Sequence, residues 1–419
     1  MKLDVAIIGA SSAGLYAAEQ LARAGRRVGV FEQHAELDPA CRTLIVTPQL
    51  QRLLGYVPDA VVLHRIQVMA MATPGVSVRV ELQDPDLIVE RCRLAHLLAG
   101  RAQKAGAELC YGYRFQGLEP HPGGVALHLR AAGGQAATVV AQTVIGADGL
   151  FSEVAAAANI KHPPVVPILQ VKVRLPPGWD PAVTQVWFDA DETRFFYWLI
   201  PESVEKGVVG MVGDDRAETW SLLQSFLDRH GFQPLAYQGA QVAMHHPQLR
   251  PWERVGSAPV LLVGDAAGQV KVTTVGGTVS GLWGAAAAVR ALLRGTPYAH
   301  ELRPLKRELD LHWFIRLLLD RLDNPGYDRL VSSVTPAVQQ FLSRRNRDEM
   351  AGAFWKLLLL QPRLLVLGLR LLLHRSGRRR LSPEAIDARF GKAKQVQRYR
   401  SEPRAISHKP SATRNARLR

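Results

Sequence analysis

The chain has 419 residues, of which 47% are hydrophobic and 21% charged, a balance that fits folded modules with a sizeable core and excludes a disordered or fibrous protein. Its three cysteines, Cys41, Cys92 and Cys110, are scattered and odd in number, which argues against a disulfide scaffold and for a reducing compartment. The formal charge of +15 gathers at one end, because residues 375–419 hold 14 Lys and Arg against 3 Asp and Glu. Such a basic tail suits nucleic acid, an anionic membrane surface or plain solvation, and the charge says nothing about the body of the chain. The apolar run at residues 5–8 is far too short for a secretory signal.

Asp4-Val5-Ala6-Ile7-Ile8 reads as a buried parallel strand, followed by Gly9-Ala10-Ser11-Ser12-Ala13-Gly14 and a helical stretch over residues 15–24. Gly25 ends that helix, and residues 27–32 form a second strand that closes on Glu32, with Gln33 beside it. A strand, a glycine turn, a helix, a second strand and an acid at its end make a complete dinucleotide-binding unit. Gly9 permits the tight turn, Gly14 lets helix and strand approach, and the helix N-terminus faces a pyrophosphate. Glu32 is placed to accept hydrogen bonds from ribose hydroxyls. The middle glycine of the usual pattern is Ser11 here, a small residue that can itself hydrogen-bond. This unit by itself does not separate one dinucleotide from another.

Further along, Glu90-Arg91-Cys92-Arg93 opens a helix, and residues 143–149 form an apolar strand that ends on Asp148 and Gly149. Residues 165–173, 184–188, 194–200 and 207–212 alternate and are rich in β-branched side chains, as strands of an antiparallel sheet do. Residues 61–81 join the same sheet. His245-His246 is no metal pair, because adjacent residues on a strand point to opposite faces. A third buried strand over residues 259–263 runs into Gly264-Asp265-Ala266-Ala267-Gly268, and then Gly276-Gly277 opens a small-residue helix over residues 282–293. On the residues alone, Asp265 also suits a strand-end turn and Asp148 a helix N-cap.

These segments in this order resemble the large flavoprotein group that includes aromatic hydroxylases, tryptophan halogenases and geranylgeranyl reductases. The resemblance implies FAD as cofactor. Asp148 then lies near the nucleotide, Asp265 holds a ribityl hydroxyl, and the helix after Gly276 and Gly277 aims its N-terminus at the flavin. A positive helix end stabilises the negative charge of reduced flavin. The group also implies that Arg42 touches the isoalloxazine edge or a phosphate, and that Arg91 helps to bind FAD.

Phe195-Phe196-Tyr197-Trp198-Leu199-Ile200-Pro201 is similar to an aromatic motif that lines the prenyl cavity of geranylgeranyl reductases, with Phe196, Trp198, Ile200 and Pro201 as the matching substrate-binding positions. Glu202 stands where a lysine often follows. Tryptophan halogenases carry a comparable string, but their N-terminal lysine has no counterpart between residues 31 and 91. No catalytic acid or base is evident; Tyr197 is a candidate proton donor, and Cys41 sits where some prenyl reductases place a cysteine near the flavin.

The C-terminal third reads as helical. Residues 309–322 are amphipathic, and within residues 354–373 Lys356, Arg363 and Arg370 recur every seventh position among leucines, with Pro362 as a break. Three cations suit an interfacial helix better than a bilayer span, and Arg378-Arg379-Arg380 adds attraction to anionic headgroups.

The expected fold class is α/β: a Rossmann-type FAD-binding domain (residues 1–60, 88–160 and 255–295) interleaved with an antiparallel-sheet substrate domain (61–87 and 161–254). A helical, membrane-associating region (296–375) and a basic disordered tail (376–419) follow. The expected activity is FAD-dependent reduction of carbon–carbon double bonds in an isoprenoid lipid. The alternatives are a monooxygenase acting on a hydrophobic substrate, and a non-catalytic flavin-binding protein at the membrane. NADPH and a ferredoxin-type protein are the candidate electron donors. No nucleic-acid partner is expected, and the expected location is the cytoplasm, peripherally on the inner face of the membrane.

Overall fold

A computed structural model describes residues 2–37 and 41–373; the expected basic tail, with Arg378, Arg379 and Arg380, lies outside them. Lys2–Ile8 is central to the first of two eight-stranded sheets, flanked in parallel by Val28–Glu32 and Ala136–Gly146. Glu108–Tyr111 extends the sheet in parallel on one side and Ala258–Leu262 on the other. Trp252–Val255 forms an antiparallel edge, and the hairpin Tyr113–His121/Gly124–Ala131 attaches to Ala136–Gly146.

Both faces of the central strand are covered over Val5, Ala6, Ile7 and Ile8, which explains why these four residues are an unbroken apolar run rather than an alternation. Val5 and Ile7 pack with Leu15, Leu21, Leu94, Leu98 and Leu282, from the helices Ser12–Arg23, Arg91–Lys104 and Thr278–Arg294. Ala6 and Ile8 pack the other way, with Phe115, Leu127 and Val154.

The second sheet runs in the order Gln233–Ala243, Val165–Arg174, Lys206–Val212, Tyr197–Pro201, Val183–Trp187, Val62–Ala72, Ser77–Glu90 and Thr43–Val46. All its pairings are antiparallel except that of Val183–Trp187 with Val62–Ala72. Thr43–Val46 falls within residues assigned to the nucleotide domain by sequence, yet it pairs with Ser77–Glu90 here. Four residues are too few to show a period of their own.

Alternation gives the second sheet two different faces. Tyr197 and Leu199 pack on Leu223, Phe226 and Leu227 of the helix Arg216–His230. Phe196, Trp198 and Ile200 pack with Ile66, Ile88, Val166 and Val212, and Val275 adjoins that cluster. Trp198 pairs in register with Gly210, and a Cβ at Gly210 would lie 2.3 Å from the indole.

The C-terminal third is helical, with the expected helix over residues 309–322 forming part of a longer one, Tyr298–Leu319. Pro362 separates Phe354–Leu360 from Pro362–Leu373, and the chain bends by 104° at that break. Among the described residues no single helix is long and apolar enough to cross a membrane.

Gly210→Val must displace the Trp198 ring or the facing strand. It is expected to lower stability by about 1–3 kcal/mol, the usual cost of overpacking, in urea unfolding followed by tryptophan fluorescence. Unchanged stability would mean that Trp198 does not rest on Gly210 in solution.

Candidate functional site

The site begins at the turn after the first strand. Gly9 has φ +96°, and a Cβ there would lie 2.5 Å from Ala147 O and 2.8 Å from Asp148 Cα. A Cβ at Gly14 would lie 2.6 Å from Gly9 O and 2.8 Å from the Ala147 Cβ. Both contacts are closer than any side chain tolerates, so the end of Ala136–Gly146 can seat against this turn only where glycine stands. Ser11 has φ −69°, a conformation open to any residue, and its Oγ accepts a hydrogen bond from Gly14 N at 3.3 Å as the helix N-cap. The serine at the middle glycine position is therefore unstrained and useful. The N–H groups of Ser12 and Ala13 have no intrahelical acceptor and face an anion-binding position.

Glu32 is tied to the same turn. Its Oε2 accepts from Ala10 N at 2.9 Å, and its Oε1 accepts from His34 N at 3.2 Å and lies 2.7 Å from His34 Nδ1. Gln33 is exposed beside it. Asp148 spends its carboxylate differently. Oδ1 accepts from Ser152 Oγ at 2.6 Å and Oδ2 from Val154 N at 3.0 Å, so it anchors the start of the short helix Glu153–Ala157. Burial raises its pKa and these hydrogen bonds oppose the rise. Its backbone meets the turn, under Gly9.

The third segment closes the junction. Gly264 has φ +66°, and a Cβ there would lie 3.4 Å from the Ala13 Cβ; one at Gly281 would lie 3.2 Å from Gly264 Cα. Gly264 N donates to Gln269 Oε1 at 2.7 Å, Gln269 Nε2 to Tyr298 OH at 3.0 Å, and that hydroxyl donates to Leu262 O at 3.0 Å. This chain of bonds fixes the loop that carries Asp265. The Asp265 side chain is open to solvent although protein surrounds it, as expected at the floor of a cleft. That enclosure pushes its carboxyl pKa up, while Arg91 and Arg42 pull it down. The Asp265 carboxylate has no hydrogen-bond partner among the described residues, and its Oδ1 lies 3.3 Å from where a Gly277 Cβ would stand.

Arg42 and Arg91 are brought together by the second sheet, where Arg91 N donates to Arg42 O at 2.9 Å. Burial, with repulsion from Arg91, holds the Arg42 pKa below its usual range, and Asp265 opposes this. Gly277 caps the helix Thr278–Arg294 without a side-chain hydrogen bond, so that N-terminus also points free donors into the cleft. Thr274 Oγ1 is buried there without a partner among the described residues.

The apolar wall is built from Phe196, Trp198 and Ile200, all buried on one face, with Pro201 at the strand end. Val275, next to Gly276, belongs to this wall, which brings it beside the loop. Tyr197 is a correction to the sequence reading. One position from Trp198, it points to the opposite face and stacks on Phe226 with ring centres 4.2 Å apart. Its pKa is raised by burial, and it cannot deliver a proton on the side of the sheet that carries the apolar wall. Cys41 is a paired thiol rather than a lone one, since its Sγ lies within 4.8 Å of the Cys92 Sγ and the Glu90 carboxylate. Burial and the hydrogen bond to Cys41 push the Cys92 thiol up to about 11. Both His245, 2.8 Å from Asp310, and the Gln269–Tyr298 chain serve to hold loops. No motif or spacing marks Gln269 or Tyr298, whereas Lys271 stands out as a lone cation in an apolar stretch.

The arrangement fits FAD: N–H donors for phosphates at Ser12, an acid for ribose at Glu32, an unpartnered acid for a polyol hydroxyl at Asp265, and a bare helix end at Gly277. Residues 2–294 match the model of the FAD binding domain family. Over 312 residues the chain is 26% identical to the geranylgeranyl diphosphate reductase of Rhodobacter capsulatus, covering 71% of this chain and 78% of that one. It is 28% identical over 295 residues to digeranylgeranylglycerophospholipid reductase 2 of Methanothermobacter thermautotrophicus, covering 66% and 74%. A geranylgeranyl bacteriochlorophyll reductase-like protein of Thermoplasma acidophilum superposes with a TM-score of 0.74 at 20% identity, covering 87% of this chain and 99% of that one.

Asp265→Ala is expected to purify with at least tenfold less flavin than the parent, read from visible absorbance against protein. A variant that emerges fully yellow would remove Asp265 from the site.

Proposed function

The chain belongs to the FAD binding domain family, and from that premise we propose that it reduces carbon–carbon double bonds of an isoprenoid lipid at a membrane surface. The observation that carries the reading is the apolar wall of Phe196, Trp198 and Ile200 reaching Val275 beside Gly276 and Gly277. Apart from the indole N–H of Trp198, such a wall offers no hydrogen-bonding side chain to orient a polar substrate, and it suits a hydrocarbon chain. The names of the two curated relatives support the same class of substrate.

In this reading bound, reduced FAD supplies a hydride to one alkene carbon, and the other carbon takes a proton. The chain's residues bind, orient and exclude water. Glu32, Ser12 and Asp265 hold the two sugar-like parts and the phosphates, and the three-segment junction fixes their spacing. Trp198 and Phe196, 5.9 Å apart between ring centres, keep the alkene in a dry slot. The wall contains no acid, so the proton arrives from water or from the slot's polar edge rather than from Tyr197.

The surface part of the reading rests on the helices after residue 353. Trp355 is 71% and Leu359 80% exposed, and Leu365, Val366, Leu369 and Leu372 are exposed beside the cations Lys356, Arg363 and Arg370. Leu367 and Leu371 pack inward near Leu322 and Tyr327. Exposed leucines interleaved with cations are the mark of a helix that lies in a headgroup layer.

Lipids from cells expressing the protein, compared with empty-vector cells by mass spectrometry, are expected to contain isoprenoids heavier by pairs of hydrogens. Products heavier by oxygen would replace the reading with a monooxygenase. A chain ending at residue 353 is expected to stay soluble when anionic vesicles are pelleted, whereas the full chain sediments with them. The substitution pair Leu359→Glu and Leu369→Glu in the full chain should act in the same direction. Unchanged pelleting in both would discard the surface helices.

A further inference from the structure

Lys271 is a buried cation that the reductase reading leaves unused. It stands between Val270 and Val272, and its side chain is almost wholly enclosed. Its backbone N–H donates to Gly276 O at 3.2 Å, which folds residues 271–276 into a tight loop. The Lys271 Nζ lies 3.7 Å, and Thr274 Oγ1 3.5 Å, from the point where a side chain at Gly276 would begin. The ammonium and the unpartnered Thr274 hydroxyl thus converge on the glycine pair that opens the helix Thr278–Arg294.

From its other side the ammonium is held by Asp348, whose second oxygen accepts from Thr47 Oγ1. The segment that carries Asp348 is clamped at several points. Arg347 bonds Asp86 at 2.5 Å, and Glu308 accepts from Met350 N at 2.6 Å and Ala351 N at 2.7 Å. Glu308 in turn lies 3.3 Å from His312, which bonds Thr273 in the same loop. An enclosed lysine without a counter-ion would lose its proton. Burial pulls the Lys271 pKa below its usual range, and Asp348, whose own carboxyl Lys271 helps to hold below the usual carboxylate range, pulls it back toward the charged form.

We infer that Lys271, fixed by Asp348, is a positioning residue that places one positive charge beneath Gly276 and Gly277 and thereby favours the reduced, more negative state of the bound flavin. A charge in an enclosed site acts over several ångströms with little screening, and it adds to the field of the helix N-terminus. The inference rests on the flavin site and not on the identity of the substrate.

The test is the midpoint potential of the flavin in the intact holoprotein, titrated with a reference dye and excess FAD so that weakened affinity does not prevent the comparison. Lys271→Met is expected to shift the two-electron equilibrium about tenfold toward oxidised flavin, ~30 mV more negative, and Lys271→Arg to recover most of the shift. An unchanged midpoint in Lys271→Met overturns the inference, because a purely structural lysine alters melting temperature and flavin content but not potential. No substrate is present in this titration, so its failure is distinct from failure of the lipid assay.

Discussion

The structure depends on one close contact among three backbone segments. The turn at residues 9–14 and the strand end at residues 146–148 meet with no room for a side chain at Gly9, whose Cβ would lie 2.5 Å from Ala147 O, and the loop at residues 264–268 packs on the same turn through Gly264 and Ala13. Because they meet there, two helices, Ser12–Arg23 and Thr278–Arg294, turn their N-termini into one cleft. Each terminus contributes about 0.3–1 kcal/mol to holding an anion at an exposed position. That is too little to select a ligand, so selectivity falls to the acids that flank the termini. Glu32 and Asp265 differ in how they are prepared for it. The first is already bonded to Ala10 N and the second awaits a donor.

Local signals were legible in the sequence, and pairings across the chain were not. The glycine turn, the Gly264-Asp265 loop and the period-2 alternation of Phe196, Trp198 and Ile200 each sit within a dozen residues. Their chemistry follows from steric rules and from parity. Parity also carried the answer for Tyr197, since a residue adjacent to Trp198 on a strand must face the other way. Arg42 and Arg91 were legible as cations but not as neighbours of each other or of Asp265, because antiparallel pairing of Thr43–Val46 with Ser77–Glu90 brings them together. Asp148 suited two roles by sequence, and its carboxylate is engaged in the one that the local turn offers, anchoring a helix start.

Lys271 and Asp348 show why a long-range ion pair escapes such a reading. They are 77 positions apart and no periodicity links them. Energetics make the pair more than packing. Deleting one partner of a buried ion pair costs about 3–5 kcal/mol, while replacing both with apolar groups is often neutral or stabilising. Stability alone therefore gives a protein little reason to bury a lysine between two valines. A reason of position does, and the position here is the start of the helix that faces the cofactor.

The same segment links that position to the exposed apolar helices. Asp348, Met350 and Ala351 are held by the flavin loop and by Glu308, and Phe354–Leu360 begins three residues after Ala351. A connection this short has almost no conformational freedom to lose or to yield. The helices that present Trp355 and Leu359 to their surroundings are thus braced against the loop that carries Lys271, Gly276 and Gly277, not tethered to it by a linker. A lipid surface that engaged those leucines would meet the flavin loop in a fixed orientation. For a substrate dissolved in that surface, a fixed orientation matters more than affinity.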